Sequence, residues 1–246
     1  MSYKIMQQLI EQLKFYAIEK LTSDTQNLLE LYLIQKNVAD SLSDAKTQYA
    51  LDSKATLQRI HGDLFKHMSE VGFLDYNEGF FREPTDINDD HVKLRKVQLN
   101  NTAIDYYVCY SRMTTADLKK LEQILKQIEL NTLAKCSKSK LALELAKLYS
   151  TLDYIHPFNE GNSRTIRTFI ALLAKKLNYR IHWEGIDRND FYLARDILVL
   201  KQAVNEISDL KLKKQVESFN QGVRNLKLDS KYSLATIINK ALVAIK

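Results

Sequence analysis

Helix breakers are scarce in this chain. It has 6 glycines and 2 prolines in 246 residues, which rules against a fold built on frequent turns and favours a mainly helical one. Cysteine is as rare: Cys109 and Cys136 show no Cys-x-x-Cys spacing, so they form neither a disulfide framework nor a zinc signature, and they fit a reducing compartment. Long apolar runs are missing too. No stretch of about 18 apolar residues occurs, and the N-terminal M-S-Y-K-I-M-Q-Q-L-I lacks an apolar signal core. The sequence therefore reads as a soluble, cytoplasmic protein without a membrane segment, and export by a route that reads no N-terminal signal stays open.

What is present is ordinary for a globular protein: 45% hydrophobic and 27% charged residues, in a length that suits one large domain or one domain with an appendage. The net charge of +6 admits a nucleic-acid, membrane or acidic-ligand reading. The lysines are spread along the chain, however, and no recognition motif or aromatic-basic interleaving accompanies them. A solvated lysine-rich surface with no nucleic-acid partner is the better reading.

Helical spacing of apolar residues predicts helices over 3–21, 25–51 and 54–72. The segment from Gly72 to Asp90 is rich in turn formers and reads as a loop. From Lys96 to Tyr110, period-two alternation around Asn100-Asn101 predicts a β-hairpin, which needs other elements to lie against. Helices follow over 114–133, with Thr114 or Thr115 as cap, over 138–155, and from about Asn162 to Leu177. Another comes after the segment I-H-W-E-G-I-D-R-N-D-F-Y, and one or two more fill 206–246. The helices at 138–155 and 162–177 are the most apolar, so they are expected at the centre.

Their joint reads H-P-F-N-E-G-N-S-R-T-I-R, from His156 to Arg167. Pro157 ends the first helix at His156. Gly161, Asn162 and Ser163 stand at the start of the second, where unsatisfied N–H groups and the helix dipole make an anion site. Arg164 and Arg167 are three residues apart and emerge on one face above that turn, an arrangement suited to a polyphosphate. Glu160 is a carboxylate beside the same turn and suits Mg²⁺, which takes one or two carboxylates plus phosphate oxygens. His156 titrates near neutral pH and suits a general base, and Phe158 suits an apolar anchor for the loop. Taken singly, each of these residues has a plain structural reading as a cap, a turn or a solvated side chain; their combination at this spacing carries the chemistry.

This segment resembles the Fic motif, H-P-F-x-(D/E)-G-N-G-R-x-x-R, at eight of its nine specified positions, the departure being Ser163 where the family has Gly. The resemblance covers about residues 50–205. It implies an all-α, Fic-type helical bundle with a small β-hairpin flap over the active site. The chain is then expected to divide into a Fic domain at 51–205 and, from the helical spacing at either end, an N-terminal helical extension at 1–50 and a C-terminal helical extension at 206–246. The resemblance also implies transfer of AMP from ATP to a Tyr, Ser or Thr hydroxyl of a target protein. His156 would be the base and Glu160 the Mg²⁺ contact. Gly161, Asn162 and Ser163 would form the phosphate cradle, and Arg164 and Arg167 the clamp on the leaving pyrophosphate. The target would dock on the flap at about 96–110. Ser163 adds bulk and a hydroxyl where Gly is usual, and the Lys of the family's kinase variants is absent. The family's inhibitory pattern (S/T)-x-x-x-E-(G/N) has no match here. Q-N-L-L-E-L, with Glu30, lacks both flanking residue types, so a separate antitoxin-like inhibitor is expected. Transfer of another nucleotide or phosphate-containing group, removal of AMP, and a catalytically silent nucleotide-binding regulator are the other readings. The terminal segments leave room for an oligomer.

Overall fold

The structure is a computed structural model of the 246-residue chain, and it describes residues 30, 49–66, 68–69, 73, 76–84, 92–99, 102–225 and 232–245. The helix expected at 3–21 and nearly all of that at 25–51 lie outside the described residues, as do the hairpin turn residues 100 and 101. The described elements are mostly helical, with a small antiparallel hairpin, as expected. Contacts divide the chain into two compact units, Met1–Arg82 with Phe158–Phe169, and Glu83–Pro157 with Ile170–Lys246.

In the first unit, α1 spans Lys54–Leu64. Ser53 caps it by accepting the Thr56 N–H at 3.3 Å, and Leu57, Ile60, His61 and Leu64 form its buried face. The helix was expected to reach residue 72 but stops at Leu64. Phe65 leaves helical geometry and stacks at 4.5 Å on Tyr76, so tertiary packing overrides the helical pattern. The turn at 76–79 approaches α1 closely. Gly79 has φ +78°, and a Cβ there would sit 3.3 Å from the Gln58 carbonyl oxygen, which is why the turn carries glycine.

In the second unit, β1 (Val92–Leu99) and β2 (Thr102–Cys109) form the hairpin, with Leu94 opposite Tyr107 and Lys96 opposite Asp105. It begins four residues before the expected Lys96. Val97, Tyr106 and Val108 are buried, whereas Leu94 and Tyr107 are exposed on the other face. α2 (Thr115–Lys126) opens with a capping box between Thr114 and Asp117. The single helix expected to 133 is broken. Glu129 adopts an extended conformation and starts a short α3, Leu130–Ala134.

α4 (Lys138–Ile155) is the spine of this unit: Leu141, Leu145, Tyr149 and Leu152 are all buried, as its sequence predicts. α6 (Arg188–Ala203) and α8 (Leu234–Ala241) pack on it, and α7 (Leu210–Asn225) packs on β2. α5, Asn162–Lys176, begins in the first unit and continues into the second. A second sheet was not expected: β3 (Tyr179–Ile181) pairs with β4 (Leu242–Ala244), which lies in a segment read as helix. Three residues are too few for alternation to reveal a strand. Asn178, left-handed at φ +61°, turns the chain into β3.

Candidate active site

The dodecapeptide from His156 to Arg167 belongs to both units, with the change between Pro157 and Phe158. In the second unit, His156 ends α4 in the left-handed region, φ 51° and ψ 59°, and donates its N–H to the Leu152 carbonyl at 3.1 Å. Pro157 accounts for the end of the helix here, because it disfavours the right-handed helical region for its predecessor. His156 is buried, and its ring lies 3.9 Å from that of Tyr110. The segment after β2 is strapped to the end of α4. Ser111 donates its N–H to the Tyr154 carbonyl at 2.8 Å and its hydroxyl to the Ile155 carbonyl at 2.9 Å.

One turn before His156 sits Asp153, fully buried, with Arg195 Nε 3.1 Å from its carboxylate. Burial pushes Asp153 up to about 6, against the pull of Arg195.

In the first unit, Asn162 closes the loop before α5 on itself. Its Oδ1 accepts the Phe158 N–H at 2.9 Å and its Nδ2 donates to the Phe158 carbonyl at 2.6 Å. Asn162 is 3% exposed, so its amide is a structural clamp as well as a residue of the expected phosphate cradle. Gly161 has φ +80°, and a Cβ there would meet Phe65 Cε2 at 2.3 Å. The Gly161 carbonyl accepts from the N–H groups of Arg164 and Thr165, starting α5 with its N-terminus at the motif.

His61, to which the sequence assigned no role, supports this loop from beneath. Its Nδ1 accepts the Gly79 N–H at 2.9 Å, so the ring proton sits on Nε2 and is donated to the Glu160 carbonyl at 3.1 Å. The imidazole is stacked on Phe158 at 4.0 Å. Burial lowers the His61 pKa to about 4, so the ring is neutral at physiological pH. With its backbone so held, the Glu160 side chain stands exposed.

Arg164 lies 3.3 Å from Glu30 Oε1 through both terminal nitrogens, and donates to the Tyr76 hydroxyl at 2.8 Å. Tyr76 in turn donates to Glu30. Burial, with the Glu30 hydrogen bond adding to it, pushes the Tyr76 hydroxyl up to about 12 and keeps it a donor. Glu30 thus reaches the motif despite lacking the flanking residues of the inhibitory pattern, and it reaches Arg164. Arg167 directs Nε to the Ser163 carbonyl at 3.4 Å.

Glu160, Gly161, Asn162, Ser163, Arg164 and Arg167 are therefore gathered in one unit around the start of α5, and His156 stands in the other at the end of α4. Sequence reasoning missed His61, Phe65, Tyr76 and the Glu30 contact. The one available signal was a histidine on the apolar face of R-I-H-G-D-L-F. Among the described residues, no group of three or more His, Cys, Asp or Glu is placed to hold a metal. An exposed carboxylate, Glu160, beside the turn expected to bind phosphate is nonetheless a donor that Mg²⁺ takes when phosphate oxygens complete its shell.

Comparison with known proteins bears on this arrangement. The chain is 46% identical over 39 residues to the protein adenylyltransferase VbhT of Bartonella schoenbuchensis, covering 16% of this chain and 8% of that one. It is 30% identical over 157 residues to a protein adenylyltransferase of Bartonella henselae, covering 63% of this chain and 26% of the relative. The chain thus spans about a quarter or less of the length of these curated relatives. The same fold occurs in the N-terminal Fic domain of a Bartonella quintana cell filamentation protein, a VirB-translocated Bep effector crystallised with bound ADP. That match has a TM-score of 0.53 and 19% identity, over 88% of this chain and 86% of that one. The Fic/DOC family model matches residues 51–174, half of the sequence and all of the His156–Arg167 motif, and the chain belongs to the Fic/DOC family.

Proposed function

We propose that the chain is a protein adenylyltransferase that moves AMP from ATP to a Tyr, Ser or Thr hydroxyl of a target protein. The observation that carries this reading is the His156–Arg167 segment, with its base, carboxylate, helix N-terminus and two arginines intact in a member of this family. The adenylyltransferase names of the Bartonella relatives and the ADP bound to the Bartonella quintana domain support it.

In the proposed reaction His156 takes the proton of the target hydroxyl. The hydroxyl oxygen forms a bond to the α-phosphorus of ATP as the bond from that phosphorus to the bridging α,β-oxygen breaks, and pyrophosphate leaves. The N-terminus of α5 at Gly161–Ser163 receives phosphate oxygens, and Arg164 and Arg167 neutralise charge gathering on the leaving group. Glu160 would hold Mg²⁺, which supplies charge neutralisation and orientation to the phosphates when bound. In-line displacement at phosphorus depends mostly on positioning and electrostatics, which are what these side chains offer.

The target segment is proposed to pair along the hairpin, which leaves recognition tolerant of target sequence. No described helix is long and apolar enough to cross a membrane. Because the reaction consumes ATP, we assign it to a cytoplasm, whether that of the producing cell or of a recipient; the Bartonella quintana relative is a VirB-translocated effector.

The reading is tested by supplying ATP labelled in either the α- or the γ-phosphate to the protein in a cell lysate with Mg²⁺. Protein-bound label from the α-position alone is the expected result. Label from the γ-position would replace this reading with phosphotransfer.

A further inference from the structure

Among the described residues, the ring of Tyr110 packs against the imidazole of His156. Tyr110 lies 3.9 Å from it, centroid to centroid, at an interplanar angle of 31°, and both residues are buried. Tyr110 follows directly on β2, and its neighbour Ser111 is bonded to the last carbonyls of α4, so the two backbones are fixed against each other.

The Tyr110 hydroxyl is held as well. Arg95 on β1 donates to it at 3.2 Å, and Arg95 Nε lies 4.0 Å from Asp196 on α6. Asp196 accepts Nε and Nη2 of Arg195 at 2.8 and 2.6 Å and the Tyr106 hydroxyl at 2.8 Å. Arg195 Nε is also 3.1 Å from Asp153, three residues before His156 on α4. Arg195, Asp153 and Asp196 are at most 2% exposed.

Two guanidinium groups thus face two carboxylates. The cluster draws one member or more from β1, β2, α4 and α6, and all of it lies within one compact unit. Arg95 is part-exposed and the other three charges are buried. Burying three charges is an inefficient way to fill a core, because apolar side chains of similar volume stabilise as well or better. What such a cluster does well is fix one arrangement of the elements that contribute to it.

We propose that Tyr110 is a positioning residue for His156, and that the Arg95–Asp196–Arg195–Asp153 cluster holds it against the imidazole while tying the hairpin to the same scaffold. The proposal rests on the reading of His156 as the base. A base works only when its nitrogen is aimed at the proton it takes, and a ring lying against the imidazole restricts its rotation and shields one side from water. Because Arg95 and Tyr106 belong to the hairpin, a target strand docking there acts on elements already bonded to the residue that aims the base.

The test uses the whole chain, with steady-state kinetics of α-label transfer beside NMR of the His156 ring protons, assigned by their loss in His156→Ala. Tyr110→Leu is expected to lower kcat about tenfold or more with KM for ATP within about twofold, and to move the His156 resonances downfield as the ring current is lost. Tyr110→Phe restores the ring but not the Arg95 bond, and should recover most of the resonance shift with an intermediate kcat. Unmoved His156 resonances or an unchanged kcat in Tyr110→Leu overturn the proposal. If Tyr110→Leu fails to fold, Arg95→Met decides, because the proposal requires a smaller loss of kcat and a smaller shift of the same resonances, and neither would occur if Arg95 were passive. The NMR measurement needs no turnover. A chain that transfers no nucleotide, in the Glu30→Ala background as well, yet shows the shifts refutes the adenylyltransferase reading and leaves the positioning of His156 standing.

Discussion

Glu30 Oε1 lies 3.3 Å from both terminal nitrogens of Arg164, and the Tyr76 hydroxyl bridges the two residues. The guanidinium assigned to the leaving phosphates is therefore already engaged by a carboxylate of the same chain. Their side chains are 23% and 31% exposed, and a partly exposed pair of this kind contributes up to about 1 kcal/mol. ATP must displace the carboxylate to use Arg164. We expect Glu30→Ala to tighten ATP binding by up to about fivefold, measured by calorimetric titration. Unchanged or weaker binding would show that Glu30 does not compete with the nucleotide. A separate antitoxin-like inhibitor remains a proposal beside this internal contact, tested by whether the purified chain is active without any added partner.

Gly161→Ala should damage both the fold and the proposed phosphate cradle. The new Cβ would meet Phe65 Cε2 at 2.3 Å and Cζ at 2.4 Å, at a backbone φ of +80°. Phe65 has no room to yield, since it is fully buried and packed at 4.6 Å on His61 and 4.5 Å on Tyr76. Backbone strain alone costs about 1–3 kcal/mol, and the displaced ring adds to it. Chemical denaturation should show that loss, with ATP binding weakened about tenfold or more. A wild-type midpoint would contradict the close packing of Phe65 under the loop.

His61 makes stability depend on pH. Its folded pKa is depressed from 6.5 to about 4, so between those values the unfolded chain binds a proton that the folded chain does not. Its contribution is fully present above pH 6.5 and is lost as pH falls towards 4, by roughly 3 kcal/mol in all. His61→Gln removes the titrating group. Denaturation curves across this range should show a slope shallower by about one proton in the variant than in the wild type. Parallel slopes would mean that His61 titrates normally and does not donate as a neutral ring to Glu160.

The joint between α4 and α5 was legible in the sequence because three local signals coincide there: Pro157 after an apolar helix, a Gly-Asn turn, and arginines spaced one turn apart. α4 was legible to the residue, since Leu141, Leu145, Tyr149 and Leu152 carry its spacing. What was not legible depends on distant partners. α1 stops early because Phe65 turns to Tyr76. The pairing of β3 with β4 joins residues more than sixty positions apart, in strands too short to alternate. Glu30 meets Arg164 across a separation of 134 residues, so a search for local flanking residues passes over it. His61 reads as one more buried position on a helix, and only the fold shows that both its nitrogens are committed.

The most direct test of the central claim compares the wild-type chain with His156→Ala for transfer of α-phosphate label from ATP to protein in a lysate with Mg²⁺. The account predicts a labelled band with the wild type and its loss in the variant, while ATP still binds to both. A band of equal strength from His156→Ala would contradict the assignment of His156 as the base. No band from a wild type that binds ATP, in the Glu30→Ala background as well, would contradict adenylyl transfer itself.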